Sequence, residues 1–378
     1  MLFLLWFIDQ IIVKLLVKSV FVNVNEQYHL FSEPLSYYNE MIEDIEKAKD
    51  YICIETFRIG KDEIGDRFRR ALTRKANEGV KVKLLIDYWG SGPVDNEYFS
   101  DLIKGGGQVR FFEKIKFNSD IFTRGHRRNH RKLLLIDDKV SYIGSSNLTG
   151  YNMNWRESVL RMQSSITCTF AKLFEEDFES YNKYIFNNPS NSKQVNHDSF
   201  EIIRDVPSIT RKQINNKFIG LIKEAKSMIN IETPYFLPGF FLRKALMDAA
   251  QRGVEVNVIL PRHSDVTLID ILRNKYFGIL YKSGVNILFY EMNNLHAKLM
   301  LVDKKIFAIG SSNFDYRSFR YMYEIMLIGD NESIARQISA HVNTTILDSK
   351  PFRYQNWKER PLINKIFEWM LLPFRHLL

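Results

Sequence analysis

Short apolar runs alternate with longer helical patterns along most of the chain. The run VKVKLLID at 80–87 is typical of a buried strand, and the helical pattern before it ends on Gly79. The same order returns at 240–261, where a helical pattern ends on Gly253 before the run GVEVNVILP. This alternation predicts an α/β fold in which mixed, mostly buried β-sheets are flanked by helices.

The body of the chain consists of two copies of one unit. Four segments recur in the second half: IETFR as IETPY, GVKVKLLID as GVEVNVILP, GQVRFFE as GVNILFYE, and HRKLLLIDDKVSYIGSSN as HAKLMLVDKKIFAIGSSN. A repeat of this length indicates a duplicated domain and not a solenoid unit. We predict two domains of the same fold, residues 25–190 and 191–350, joined through the polar segment 187–199.

Both ends of the chain carry apolar segments with a narrow polar face. Residues 1–24 and 351–378 each predict an amphipathic helix, and the second helix is expected to begin at Pro361. The polar faces consist of Gln10, Lys14, Lys18, Asn364, Lys365 and Glu368. Such a helix either packs on the protein core or lies in a membrane interface. Because both ends share the pattern, we favour peripheral attachment to the cytoplasmic face of the cell membrane.

The charge of the chain favours an anionic partner. Its 378 residues include 53 Lys and Arg against 44 Asp and Glu, which gives a net charge of +9. Nucleic acid, a phosphorylated substrate and an acidic membrane surface all fit this charge. Two cysteines are too few for a disulfide framework or a thiolate metal cluster. A basic cluster around the first repeated motif predicts an anion-collecting mouth, and its members are Arg124, Arg127, Arg128 and Arg131.

One motif, H-x-K-x4-D followed by Gly-Ser-Ser-Asn, occurs once in each copy. Its members are His130, Lys132, Asp137, His296, Lys298 and Asp303. On a strand, residues i and i+2 face the same way, so each histidine is expected to point out of the sheet beside its lysine. The strand should then return through a hairpin that brings back hydroxyl and amide groups able to hold phosphate oxygens. These groups belong to Ser145, Asn147, Ser311 and Asn313.

This duplicated motif resembles that of the phospholipase D superfamily, and the chain looks most similar to its bacterial cardiolipin synthases. The resemblance covers residues 28–350 and is most specific in RNHRK at 128–132, IETPYF at 231–236 and GSSNFDYRSF at 310–319. One departure is Met322, which stands where the family usually has asparagine. The chain also resembles the shorter members of the family, which carry an apolar tail in place of two N-terminal membrane-spanning helices.

The resemblance implies one active site, shared by the two repeats at a pseudo-twofold interface. It assigns His130 as the nucleophile that forms a phosphohistidine and His296 as the general acid and base, an order that the pseudo-symmetry leaves open. Glu157 and Glu324 are expected to accept hydrogen bonds from the motif histidines and orient them. The motif lysines should neutralise the phosphate oxygens, so no metal or other cofactor is expected. Asp137 and Asp303 either contact substrate or organise the hairpins.

Three functions remain open from the sequence. The first is cardiolipin synthesis, in which one phosphatidylglycerol transfers its phosphatidyl group to another and releases glycerol. The second is phospholipase D hydrolysis, which differs only in using water as the acceptor. The third is a nuclease-type phosphodiesterase, which has no use for apolar termini. We expect phospholipids and an anionic membrane surface as partners, no nucleic acid, and a possible homodimer.

Overall fold

The computed structural model describes residues 26–112, 127–181, 194–208 and 210–373. The strands of the first half are β1 (Gln27–Phe31), β2 (Tyr51–Thr56), β3 (Lys81–Asp87), β4 (Gln108–Phe112), β5 (Arg128–Asn129), β6 (Leu133–Ile136), β7 (Val140–Gly144) and β8 (Val159–Gln163). The helices of this half are α1 (Pro34–Lys47), α2 (Glu63–Asn77), α3 (Ser100–Lys104) and α4 (Ile166–Ser180).

The second half repeats this order of elements and adds further short strands and helices. Its strands are β9 (Val195–His197), β10 (Phe200–Asp205), β11 (Met228–Glu232), β12 (Phe236–Leu237), β13 (Glu255–Pro261), β14 (Asn286–Tyr290), β15 (Leu299–Val302), β16 (Ile306–Gly310), β17 (Phe314–Asp315), β18 (Met322–Gly329) and β19 (Ser349–Pro351). Its helices are α5 (Gln213–Glu224), α6 (Phe240–Gln251), α7 (Thr267–Lys282), α8 (Ser318–Tyr321), α9 (Glu332–Leu347), α10 (Tyr354–Lys358) and α11 (Leu362–Leu371).

Two mixed sheets of matching topology form the framework. The first has the order β1-β8-β7-β6-β2-β3-β4, and the second contains the equivalent series β10-β18-β16-β15-β11-β13-β14. In each sheet three strands run parallel and the remainder run antiparallel. The two-residue strand β5 of the first half pairs with β18 of the second half. The predicted duplicated α/β fold is therefore confirmed, and the two halves are joined by this strand pairing.

The two halves share a buried core. One apolar cluster combines Leu135 and Leu160 of the first sheet with Leu301 and Leu327 of the second. Helices α4 and α9 contribute to the same cluster, so the halves pack on each other through their inner faces. The outer face of each sheet has its own core, covered by α1 and α2 in the first half and by α5 and α6 in the second. The domain boundaries stay a prediction, because part of the predicted join lies outside the described residues.

The predicted helix ends are confirmed at two equivalent glycines. Helices α2 and α6 end just before Gly79 and Gly253, whose φ angles are 89° and 88°. This left-handed conformation is strained for residues with a Cβ, so glycine terminates each helix and lets the chain turn into β3 or β13. At the other end of α2, the Asp62 carboxylate accepts a hydrogen bond from the Gly65 N–H at 3.0 Å.

The C-terminal helix α11 follows Pro361 as predicted. Within its polar face, Glu368 is buried and forms a two-pronged ion pair of 2.7 Å with Arg360, whereas Asn364 is exposed. Its apolar side chains are largely exposed. The predicted N-terminal helix lies outside the described residues. Among the residues that are described, no helix is long and apolar enough to cross a membrane.

Candidate active site

The repeated motif places both histidines at corresponding edges of the two sheets. Strands β6 and β15 run antiparallel to β2 and β11, with Leu133 opposite Glu55 and Leu299 opposite Glu232. The residues just before β6 and β15 therefore lie at the carboxyl edges of the parallel strands. The histidines and lysines occupy these segments and not the strands themselves, so the predicted strand placement was wrong by one to three residues. The strand ladder begins only after the lysine.

Each histidine is held by a glutamate of the opposite repeat. His130 Nδ1 lies 3.0 and 3.2 Å from the two carboxylate oxygens of Glu324. His296 Nδ1 lies 3.0 Å from both oxygens of Glu157. All four side chains are buried. Because an ionised carboxylate only accepts hydrogen bonds, Nδ1 carries the proton in both rings and Nε2 is left for chemistry.

The motif serines support these glutamates. The hydroxyl of Ser145 donates to Glu157 and that of Ser311 donates to Glu324. Each serine oxygen also accepts a backbone N–H, from Ser158 at 2.8 Å or from Ile325 at 3.0 Å. With their hydrogen-bonding capacity used in this way, the serines position the glutamates. The expectation that they hold phosphate oxygens is therefore corrected.

The motif asparagines retain free hydrogen-bonding capacity. The Oδ1 atoms of Asn147 and Asn313 are buried and have no partner among the described residues. A buried amide oxygen without a partner costs roughly 1–3 kcal/mol, which a bound hydroxyl would recover. Contact of these two amides with substrate stays a prediction.

The motif aspartates serve the hairpins. The Asp137 carboxylate accepts the backbone N–H groups of Lys49, Asp50 and Tyr51 at 2.7–2.9 Å. Asp303 accepts the corresponding N–H groups at the start of β11. Both aspartates have φ of 52° and lie at the ends of β6 and β15 remote from the histidines. Their inclusion among the catalytic residues is corrected in favour of the hairpin-organising alternative.

The motif lysines bring two positive charges into the buried site. Burial and the nearby Lys298 ammonium lower the pKa of Lys132 to about 7. Burial lowers the pKa of Lys298 to about 8, although Glu157 and Glu324 act in the opposite direction. Two buried ammonium groups with lowered pKa values favour the binding of an anion, because its charge stabilises both. A phosphodiester supplies such a charge.

Burial favours the neutral form of both histidines. Burial lowers the pKa of His130 to about 4, and Glu324 offsets only part of this effect. Burial also lowers the pKa of His296 against the attraction of Glu157. Burial alone would raise the pKa of Glu157, but His296 and Lys298 outweigh it and hold the value at about 2. The arrangement therefore combines ionised carboxylates with neutral imidazoles, and an approaching phosphate would raise the pKa of both rings.

Several residues near the histidines were missed by sequence reasoning. Phe57 and Trp155 place their rings 5.2 and 4.9 Å from the rings of His130 and His296. Asp265 acts electrostatically on His296 and Lys298. Motif spacing gives no signal for these contacts, because they join loops that are distant in sequence.

Arg317 is a further missed residue, and it lies within the run GSSNFDYRSF. Its Nε is buried without a hydrogen-bond partner among the described residues, and burial lowers its pKa although Asp315 acts in the opposite direction. An unsatisfied guanidinium donor near the motif is suited to a phosphate oxygen. The spacing of the motif alone did not separate this arginine from its neighbours.

Two arginines of the basic cluster around His130, Arg128 and Arg131, have an internal role. The side chain of Arg128 is fully buried and lies 3.5 Å from Asp87. Arg131 is also buried, pairs with Asp177 and donates to the Glu324 carbonyl at 3.2 Å. Arg128 and Arg131 are thus engaged in buried contacts, one of which joins Arg131 to the other half, and they do not form the predicted anion-collecting mouth. Arg124 lies outside the described residues.

Comparison with known proteins identifies the family. A family model described as "Cardiolipin synthase, PLD-like domain" matches residues 41–182 and 218–346. The chain belongs to this PLD-like cardiolipin synthase family. Within the family, it is 32% identical to the major cardiolipin synthase ClsA of Bacillus subtilis, over 88% of this chain and 71% of the relative. It is 31% identical to a cardiolipin synthase of Clostridium perfringens, over 94% and 79%. The family predicted from the sequence is confirmed.

Solved structures support the same fold. A phosphatidylserine synthase of Haemophilus influenzae superposes with a TM-score of 0.73 at 15% identity, covering 93% of this chain and 95% of that protein. A polyphosphate kinase of Porphyromonas gingivalis superposes with a TM-score of 0.61 at 11% identity, over 93% and 53%. At these identities the likeness concerns the fold alone.

Proposed function

We propose that this member of the cardiolipin synthase family forms cardiolipin and glycerol from two phosphatidylglycerol molecules through a phosphohistidine. The observation that carries the proposal is the crossed pairing of His130 with Glu324 and of His296 with Glu157. Because each histidine depends on a carboxylate of the other repeat, the two motifs form one site with two imidazoles. Two imidazoles supply both a nucleophile and a proton carrier.

An asymmetry between the two halves favours His130 as the nucleophile. No described residue forms a hydrogen bond to its Nε2, so this lone pair is available to phosphorus. The Lys298 ammonium, by contrast, lies 3.0 Å from Nε2 of His296. Both lysine ammonium groups donate to the carbonyl of their own histidine, at 2.6 Å for Lys132 and 2.9 Å for Lys298, so only the ring contact differs between the halves. A nitrogen whose lone pair has no hydrogen-bond donor beside it is better suited to attacking phosphorus than one whose lone pair faces an ammonium.

The first half-reaction forms the covalent intermediate. Nε2 of His130 attacks phosphorus, the bond to the headgroup glycerol oxygen breaks, and protonated His296 gives its proton to that oxygen. The anionic phosphodiester raises the pKa of His296 on binding, which supplies the protonated form. Lys132 and Lys298 stabilise the charge that develops on the non-bridging oxygens.

The second half-reaction decides between transfer and hydrolysis. His296 takes the proton from the headgroup hydroxyl of a second phosphatidylglycerol, and the resulting oxygen attacks phosphorus. The bond between His130 and phosphorus breaks, and cardiolipin leaves. If water took the place of this hydroxyl, the product would be phosphatidic acid.

We also infer that the protein works at a membrane surface. Trp89, Leu268 and Met292 are exposed and follow the carboxyl ends of β3, β13 and β14, at the edges that carry the histidines. Exposed apolar groups around a site for a lipid headgroup suit contact with a bilayer. The acyl chains of the substrate then need not leave the membrane. Peripheral attachment to the cytoplasmic face remains a proposal on this basis.

Product analysis tests the proposed function. Purified protein is incubated with phosphatidylglycerol vesicles, and lipids and free glycerol are quantified. Cardiolipin and glycerol in equal amounts are expected. Phosphatidic acid and glycerol in equal amounts, without cardiolipin, would identify a hydrolase. Absence of both lipid products would contradict either activity.

A further inference from the structure

The second repeat contains another large cavity, separate from the histidine site. Its volume is about 550 Å³, and it lies between the end of β13, helix α7, strand β14, the edge strand β19 and helix α10. Its lining is rich in cationic side chains: Arg262, Arg273, Lys350, Arg353 and Arg360. Only two acidic side chains, Asp270 and Glu291, are among the described residues that line it. The cavity is therefore suited to an anion.

Arg273 provides the strongest sign of a ligand. Its side chain is 2% exposed, and its Nη2 donates to the carbonyl oxygens of Pro261 and Arg262 at 3.0 and 3.1 Å. Its Nε and Nη1 are buried and have no hydrogen-bond partner among the described residues. Burial lowers its pKa to about 10, and Asp270 compensates only in part. Two unsatisfied donors on a buried guanidinium fit an anion with several oxygens.

The other cationic groups are held in place around this arginine. Arg262 lies over the Phe289 ring at 5.2 Å, and Arg360 lies over the Trp357 ring at 4.2 Å. These aromatic faces fix the guanidinium groups at the cavity wall. Arg360 is also paired with Glu368 and Lys350 with Glu291, so Arg262 and Arg353 provide the cavity's excess positive charge. Arg353 is exposed to solvent. A cavity of this size holds more than a bare phosphate ion, so a phosphate with its attached glycerol units can enter.

Helix α11 borders the cavity and presents an apolar surface beside it. Asn364 lines the cavity, while six apolar side chains of the same helix are 45–71% exposed. These are Leu362, Ile363, Ile366, Phe367, Trp369 and Met370. The end of the helix is anchored, because Leu371 and Leu372 pack against Ile269 and Leu272. A cationic cavity and an exposed apolar helix face thus lie side by side.

We propose that the cavity binds the phosphodiester headgroup of an anionic phospholipid that is not being transferred, with its acyl chains against the apolar face of α11. Arg262 directly follows β13, so the cavity reaches the same sheet edge as His296. A lipid bound there holds this edge against the bilayer. The inference goes beyond the proposed reaction and relies on it only for the presence of a membrane.

Vesicle binding by the full chain tests the site. The double variant Arg262→Glu/Arg353→Glu reverses two charges at the cavity, and Lys139→Glu/Lys305→Glu makes the same change at the opposite sheet edges. Each cationic residue near an anionic surface contributes about 1 kcal/mol, so affinity for phosphatidylglycerol vesicles should fall at least tenfold in the cavity variant. The control variant should lose clearly less. Equal losses in the two variants would mean that only general charge matters and would overturn the site.

A second arm separates this site from the active site and from a site for free phosphate. Turnover of a short-chain, dispersed phosphatidylglycerol should be unchanged in the cavity variant, and a parallel loss of this turnover would place the cavity in the catalytic reaction. Inorganic phosphate at millimolar concentration should not displace the protein from vesicles at constant ionic strength. Displacement by phosphate in the native protein, absent in Arg273→Met, would identify a free-phosphate site instead. Vesicle binding is measured without turnover, so failure of the proposed reaction is recognised separately.

Discussion

The crossed histidine–glutamate pairs predict that Glu157→Gln impairs the proton carrier and not the nucleophile. Glu157 follows the motif of His130 in sequence, yet both of its oxygens lie 3.0 Å from Nδ1 of His296. Glutamine keeps the shape of the side chain and removes its charge. Glu324→Gln is the matched variant, because it makes the same change beside His130.

The expected magnitude follows from the loss of a buried, charge-assisted hydrogen bond. Such a bond contributes about 1.5–3 kcal/mol, which corresponds to roughly a 10- to 150-fold loss in turnover of phosphatidylglycerol for either variant. Glu157 raises the pKa of His296, so its removal lowers that pKa further. In Glu157→Gln, the part of the pH–rate profile that reports protonated His296 should therefore move to lower pH.

A substrate that needs no general acid separates the two roles. A phosphatidyl ester of p-nitrophenol has a leaving group that departs as the anion, so formation of the phosphohistidine should release nitrophenolate in a rapid burst. The burst rate should stay near that of the native protein in Glu157→Gln and fall in Glu324→Gln. The opposite pattern would exchange the roles of the histidines, and an equal loss of the burst in both variants would refute the crossed arrangement.

Further predictions concern the motif residues. His130→Ala and His296→Ala should each abolish turnover, whereas about half of the activity remaining in either would indicate two independent sites. Lys298→Met should lose activity while its circular dichroism spectrum shows that the fold is retained. The activity of the native protein should persist in excess EDTA. Activity lost in EDTA and restored by Mg²⁺ would contradict the role given to lysine. Asp137→Ala should lower the free energy of unfolding by about 1–3 kcal/mol in urea titrations, while the remaining folded protein keeps its turnover number.

The pKa of His130 adds a prediction on stability. In the folded protein this pKa is about 4, below the ordinary 6.5. The contribution of His130 to the free energy of unfolding is therefore fully present above pH 6.5 and is lost as the pH falls towards 4. The free energy of unfolding should thus decline less between pH 7 and pH 4 in His130→Ala than in the native protein, and the two declines should differ by up to about 3 kcal/mol. An identical decline in the two proteins would contradict the buried neutral histidine.

The sequence by itself determined the duplicated α/β fold, the shared family and the identity of the paired histidines, lysines and glutamates. These properties depend on local periodicity and on spacing that repeats, as in the helices that end before Gly79 and Gly253. Sequence also limited the aspartates to two roles, since Asp137 stands where a strand turns. Local pattern carries this information because it reflects contacts between residues that are close along the chain.

Only the tertiary structure decided which glutamate meets which histidine. Glu157 and His296 are 139 residues apart, and their contact exists because the two sheets pack through a shared core. The same packing buries Arg131, which the sequence had placed at a solvent-facing mouth. The cationic cavity around Arg273 likewise combines β13, α7 and α10. Burial and charge pairing across such distances depend on the relative positions of whole elements, which no local spacing encodes.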